Sequence, residues 1–356
     1  MSRFTNPRIQ WLAASGFALA FLIGSGAAAR AGALHALAQG NESVEQQDTQ
    51  VVVLPAPPPS AGGQKPEAAS QTAPLATSIE ARASARVRNG LMWKATWGKN
   101  TAYLLGSIHL ATADIYPLPA QIEDAFQRSS VLLVEIDLQK LDPGKFLPLI
   151  SSSGMYPPGD ALWNHVSANT RELVTRFCGT HGLYPEQLSQ FKLWMAAVML
   201  SAAEMQSFGL RPELGIDQHF LSEAKDGKRV EELESPEQQI RILASLPEPA
   251  EEKDLDEMLQ DPQRIKDTLD KLQTAWIAGD ASAIDKIVST EMGSFPGEEK
   301  IMLSNRNPHM ADGVERYLKS GETCFLVVGA GHLVGKGGIV QLLKQRGFKV
   351  EQVLGL

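Results

Sequence analysis

The sequence predicts an α/β domain over residues 89–356, with a central mixed or largely parallel sheet wrapped by helices. Two stretches carry that prediction. Val131-Leu-Leu-Val-Glu-Ile-Asp137 is a short, nearly unbroken apolar run, the pattern of a strand buried on both faces. A helical spacing separates it from an earlier strand, and strand, helix, strand in that order forms a right-handed crossover. Phe325-Leu-Val-Val328 is a second apolar run. It enters a glycine-dense bend carrying His332, then the helical pattern Ile339, Leu342 and Leu343, which closes at Arg346-Gly347. In open α/β sheets ligands gather just outside the carboxyl ends of the strands, where His332 falls.

With 356 residues, 43% of them hydrophobic and 21% charged, the chain has material for a sizeable core. Its net charge is -8 and no Lys/Arg cluster offers a basic face to phosphates, which sets nucleic acid aside as a partner. Cys178 and Cys324 make no metal spacing with each other or with a histidine. Cys324 opens the second apolar run, so inert burial is its expected state. A Cys178–Cys324 disulfide is compatible with an oxidising compartment, and nothing in the spacing requires it.

Residues 1–31 have the plan of a secretory signal peptide: Arg3 and Arg8, an apolar stretch from Trp11 to about Ala29, then small residues to Ala31. No cysteine follows, which excludes a lipoprotein. Left uncleaved, the same stretch approaches the roughly 20 residues of a spanning helix and would tether the protein to the inner membrane. Either way the remainder is expected outside the cytoplasm, periplasmic or secreted. Residues 32–88 are rich in Pro, Ala, Ser and Gln and poor in large apolar side chains, the composition of a disordered linker.

The folded part opens with alternation at Met92 to Trp97, a turn at Gly98-Lys-Asn100, and a strand at Thr101-Ala-Tyr-Leu-Leu105, together a hairpin. The second strand runs into Gly106-Ser-Ile-His109. Ile122, Ala125 and Phe126 give a helix from Leu118-Pro119 to Ser130, and the strand Val131–Asp137 follows. Glu135 and Asp137, two apart at its end, are expected on one face. Helices are expected at 170–179 and, as one long element rich in Met and Trp, at 185–208. A short helix follows Leu214-Gly-Ile-Asp217, and Lys228 to Glu234 reads as a fourth strand. Ser235-Pro-Glu-Gln238 is a helix start with its own cap. Residues 247–292 are acidic and helical, with a solvated charged face. Phe295-Pro-Gly breaks the chain, Arg306-Asn-Pro-His309 precedes a last helix to Lys319, and the Phe325 strand closes the sheet.

Gly106-Ser-Ile-His109 and Gly329-Ala-Gly-His332 place a glycine and a histidine three residues apart at two strand ends, and Glu135 stands at a third. Two neutral imidazoles and a carboxylate are a common three-ligand set for a divalent metal, which lowers the pKa of bound water and polarises a carbonyl. The same residues without a metal are an acid–base pair. The glycine in each motif is expected to let the backbone turn sharply and approach closely. His165, His181, His219 and His309 read as surface or structural, and His35 belongs to the linker. Gly329-Ala-Gly-His-Leu-Val-Gly335 has some likeness to a dinucleotide loop, but too little chain follows to build that fold. No H-E-x-x-H, G-x-S-x-G or Walker motif is present.

These residues resemble the TraB/PrgY/GumN family, which includes the Tiki proteases. The likeness lies in Trp93-Lys-Ala-Thr, Tyr103-Leu-Leu-Gly-Ser-Ile-His109, Val134-Glu-Ile-Asp137, Leu214-Gly-Ile-Asp217, Leu233-Glu234, Arg306-Asn307 and Val328-Gly-Ala-Gly-His332. It spans roughly Gly90 to Val353, with Ser107 where the family more usually has Thr. The resemblance implies a sheet-and-helix fold of two related halves, shared with erythromycin esterase-like and ChaN-like proteins. It implies a site of His109, Glu135 and His332 as metal or acid–base set. Arg306 would stabilise substrate or an oxyanion, and Asp217 and Glu234 would support the ligands. The expected function is therefore an exported metal-dependent hydrolase, a peptidase foremost, with Mn, Co or Zn as the divalent ion. Two other functions fit the same residues: a periplasmic protein that sequesters a peptide or small molecule, and a metal-free His/Glu ester hydrolase.

Overall fold

The computed structural model describes residues 89–355 apart from 225, 226, 293 and 294, so the expected signal segment and linker lie outside the described residues. The strands are β1 (Met92–Trp97), β2 (Asn100–Ser107), β3 (Val131–Val134), β4 (Arg229–Glu232), β5 (Cys324–Gly329) and β6 (Lys349–Val353). They form one sheet in the order β4-β3-β5-β2-β1-β6. β2, β5, β3 and β4 are mutually parallel, while β1 and β6 extend the sheet antiparallel. The sheet is mixed and mostly parallel, as the apolar runs imply. Gly98, at φ 59, makes the β1–β2 turn.

Every residue of β3 and β5 is buried, so both faces of the sheet's centre are covered. On one face Phe325 meets Phe126 of the helix Ala120–Gln127 and Phe220 of the helix Ile216–Glu223, with ring centroids 4.9–5.5 Å apart. Such aromatic clusters combine a large buried area with favourable tilted geometry. Cys178 and Cys324 are both buried free thiols, so the disulfide does not form.

Several elements differ from expectation. β3 stops at Val134, although beyond it Leu233 and Glu234 still donate their backbone N–H groups to the Val134 and Glu135 carbonyls and keep the two chain segments side by side. Glu135 and Asp137 therefore do not share a strand face. Asp137 instead caps the turn at Leu138–Lys140, accepting from the Gln139 N–H at 3.1 Å. The long helix expected at 185–208 is broken: a 3-10 turn at Pro185–Leu188, a bridge from Phe191 to Met155, then a helix Leu193–Ser207. The acidic stretch is three helices, Glu248–Gln260, Pro262–Ala278 and Ala281–Glu291, the second ending on left-handed Gly279.

β5 does not close the sheet. β6 follows it and pairs with β1, with Met92 opposite Val353 and Thr96 opposite Lys349. Among the described residues no helix is long and apolar enough to cross a membrane.

Candidate active site at the carboxyl rim of the sheet

Each of the four parallel strands delivers a polar residue just past its carboxyl end. β2 leads to His109, β3 to Glu135, β4 to Glu234, and β5 through the short helix Ala330–Leu333 to His332. They converge over Gly329. A Cβ built on that glycine would lie 3.0 Å from His109 Nε2, 3.4 Å from Glu135 Oε1 and 3.6 Å from His332 Cδ2. The two imidazoles and the carboxylate, more than two hundred positions apart in sequence at their extremes, thus surround one point that only a glycine leaves open.

The motif glycines work by lacking a side chain and not by turning the chain. Gly329 has φ -48, which any residue adopts. A Cβ at Gly106 would fall 2.6 Å from Leu91 Cδ2 and 3.1 Å from Ala330 Cα, so Gly106 lets the backbone after β5 lie against β2. Trp276, fully buried, donates its indole N–H to the Gly106 carbonyl at 2.6 Å and holds that strand end.

Each imidazole is held from behind. His109 Nδ1 lies 2.6 Å from Asp217 Oδ2, which also accepts from Ser107 Oγ at 2.5 Å. Asp217 reaches it because Gly215, at the start of its helix, packs on the His109 carbonyl, where a Cβ would be 2.3 Å from the oxygen. His332 Nδ1 lies 2.6 Å from Asn307 Oδ1. With both Nδ1 atoms engaged, His109 turns its Nε2 and His332 its Cδ2 side toward the common point, each ring fixed by a hydrogen-bonded partner behind it.

Glu135 is held at both oxygens. Oε1 accepts the Gly329 N–H at 2.6 Å, and Oε2 accepts from Arg306 Nη2 at 3.0 Å and, more weakly, Gln239 Nε2 at 3.4 Å. Arg306 also donates Nε and Nη2 to the two oxygens of Glu234, at 2.6 and 2.5 Å, and Nη1 to the Met302 carbonyl at 2.7 Å. That carbonyl is presented by a turn of π-helix, Lys300–Ser304, which no local residue pattern announces. Every nitrogen of the guanidinium thus has an acceptor within the protein, and Arg306 is a clamp on two carboxylates as it stands.

Among the described residues no three His, Cys, Asp or Glu side chains already stand at the spacing of a closed metal cluster. Glu135 Oε1 is 3.7 Å from His332 Nε2 and turned toward the Gly329 N–H. Two imidazoles and a carboxylate are donors of the kind a divalent cation takes, but Glu135 Oε1 would have to leave the Gly329 N–H to join them.

A model of the TraB/PrgY/gumN family matches residues 91–352, from the first strand to the last. The chain belongs to this family. Among TraB/PrgY/gumN relatives, it is 28% identical over 248 residues to the uncharacterized protein YbaP of Escherichia coli strain K12, spanning 69% of this chain and 89% of YbaP. YbaP of Shigella flexneri is similar to the same extent. No solved structure matches the chain.

The electrostatics of this TraB/PrgY/gumN site separate the two histidines. Burial disfavours the charged form of both. At His109 the Asp217 carboxylate outweighs burial, helped by Glu135, and raises the pKa to about 9. At His332 burial is reinforced by the Arg306 charge, and the pKa falls well below the usual value. Between pH 6.5 and 9 the folded protein holds a proton on His109 that the unfolded chain has lost, so this pair's stabilisation declines as pH rises through that window. Below pH 6.5 the unfolded chain binds a proton that His332 refuses, so stability also declines as pH falls. In metal-free protein the combined contribution of these two histidines is expected to peak near pH 6.5, falling on the order of 1 kcal/mol per pH unit on the alkaline side. Asp217→Asn should flatten that alkaline limb in urea titrations at several pH values. An unchanged slope would show that the Asp217 pairing does not hold the proton.

The sequence brought out His109, Glu135 and His332, and the resemblance added Arg306, Asp217 and Glu234; all six meet here. Gln239 and the role of Asn307 went unseen. Gln239 lies one residue past a capping box, at Ser235 and Gln238, that is itself sufficient reason for polar residues there.

Proposed function

We propose that the chain is an exported metal-dependent hydrolase acting on peptides, with His109 Nε2, His332 Nε2 and Glu135 Oε1 as the residues that hold a divalent cation. What carries the reading is the convergence of these three groups on the point above Gly329. A bound Mn²⁺, Co²⁺ or Zn²⁺ would supply Lewis acidity toward a carbonyl and an acidified water. The protein's own part is orientation and proton handling. Asp217 and Asn307 hold the rings, while Arg306, Gln239 and the Gly329 N–H hold the Glu135 carboxylate. His109 must give up its proton before Nε2 can ligate, so cation affinity is expected to strengthen with pH up to about 9. Export rests on residues 1–31, whose charged start, apolar stretch and small-residue end are those of a signal peptide.

Equilibrium dialysis against Mn²⁺, Co²⁺ and Zn²⁺ tests the reading. Wild type should bind one ion per chain, and His332→Ala should lose at least on the order of tenfold in affinity. A peptide-library digest with and without chelator then separates an enzyme from a sequestering protein. Absence of binding in wild type would remove the metal.

One observation favours a second reading. Both Glu135 oxygens already have donors, and the surroundings drive the two histidine pKa values apart, His109 up to about 9 and His332 well below the usual value. Groups with pKa values pushed apart in this way are suited to metal-free acid–base hydrolysis of an ester. Chelator-resistant ester cleavage that fails in His332→Ala would select it.

A further inference from the structure

We propose that Asn307 is a positioning residue that fixes the ring tautomer of His332, and that the glycine bend after His332 exists to orient Asn307. Asn307 and His332 are both 1% exposed, so bulk water does not intervene between them. The amide of Asn307 has two ends, and each has a partner of fixed character. Nδ2 faces the Gly337 carbonyl at 2.8 Å, and a carbonyl can only accept. Oδ1 therefore faces His332 Nδ1 at 2.6 Å and can only accept from it. Turning the amide over would set oxygen against the Gly337 oxygen, leaving two buried groups without donors. The proton of the neutral ring is thereby placed on Nδ1, and the Nε2 that faces Glu135 is the acceptor edge.

The bend supplies the carbonyl. Gly338 admits no side chain, since a Cβ would lie 2.2 Å from the Val334 carbonyl oxygen and 2.7 Å from that of Leu333. Gly335 sits at φ 78, where a side chain is strained. Gly337 is itself close to Ser304, whose Cβ would be 3.2 Å from an added one. The run Gly335-Lys-Gly-Gly338 thus folds tightly back on the end of its own short helix and brings the Gly337 oxygen to the amino end of the helix Asn307–Ser320. Its glycines are accounted for without a bound phosphate or dinucleotide.

His109 gives the contrast. Its Nδ1 partner is a carboxylate, which stabilises an added charge, whereas an amide only directs a proton. The two G-x-x-H histidines have the same spacing and different backing residues.

The inference concerns the same site as the proposed function, but its test needs neither a metal nor a substrate. Long-range proton–nitrogen correlation spectra of chelator-treated, ¹⁵N-labelled protein at neutral pH report which ring nitrogen carries hydrogen. The His332 signals are identified by their loss in His332→Gln. Wild type should show a protonated Nδ1 and a bare Nε2. Asn307→Leu should lose that preference on the order of tenfold, giving mixed tautomers. Should Asn307→Leu fail to fold, the bend offers a second variant, Gly338→Ala, which keeps the Asn307 side chain but forces the bend, and with it the adjoining Gly337 carbonyl, away from the Val334 and Leu333 carbonyls. It should loosen the tautomer in the same direction. An Nε2-protonated ring in wild type, or a pure Nδ1 tautomer in both variants, overturns the assignment.

Discussion

Replacing Arg306 with methionine is expected to destabilise the fold by about 3–5 kcal/mol, the largest loss of any single change at the rim. The guanidinium is buried and binds Glu135 and Glu234 together, with Glu234 bidentate. Methionine keeps much of the volume, but it leaves two nearly buried carboxylates with no cation between them. Gln239 alone cannot neutralise them, and like charges at this separation repel strongly in a poorly solvated site. Removing one partner of such a group costs far more than removing the whole group. Arg306→Met combined with Glu234→Gln should therefore recover part of the loss, and urea unfolding at pH 7 measures both. A loss below about 1 kcal/mol in the single variant would mean that the carboxylates find water and that the clamp is ornamental.

Gly329→Ala is expected to produce the largest functional effect with little loss of fold. The backbone there tolerates alanine, at φ -48. The added methyl group would occupy the point on which His109 Nε2 and Glu135 Oε1 converge, at 3.0 and 3.4 Å. Displacing reacting or ligating groups by a fraction of an ångström to one ångström costs on the order of a hundredfold, and that is the fall expected in cation affinity and in hydrolysis. The thermal midpoint should move only a few degrees. Gly106→Ala makes the comparison, because its methyl group would meet Leu91 and the Ala330 backbone instead. That variant should lose stability first. Full retention of binding and turnover in Gly329→Ala would place the working centre elsewhere.

What could be read from the sequence follows from how local each signal is. The apolar runs of β3 and β5, the hairpin, and the capping box at Ser235 are each decided within a few residues, and each is present. β6 escaped because Lys349-Val-Glu-Gln-Val353 is short and polar, and only β1 beside it makes it a strand. The end of β3 at Val134 is equally invisible, since the apolar run gives no break there. At the rim the same division holds. A glycine–histidine spacing can be seen in the chain, whereas the backing of His332 by Asn307 depends on a carbonyl thirty positions further on. Partners of that kind leave no mark in spacing or composition.

The order of the strands also bears on when the protein can fold. β2 and β3 come early, yet they do not touch; β5 lies between them and joins the Glu135 carboxylate to Gly329 across 194 positions of the chain. A growing polypeptide therefore holds an open gap at the middle of its sheet until that late segment emerges. Loop closure over such distances is slow, so assembly is a single late event and not a progressive one. Fragments ending before Cys324 should remain non-native and protease-sensitive, while the complete chain acquires its sheet and its rim together.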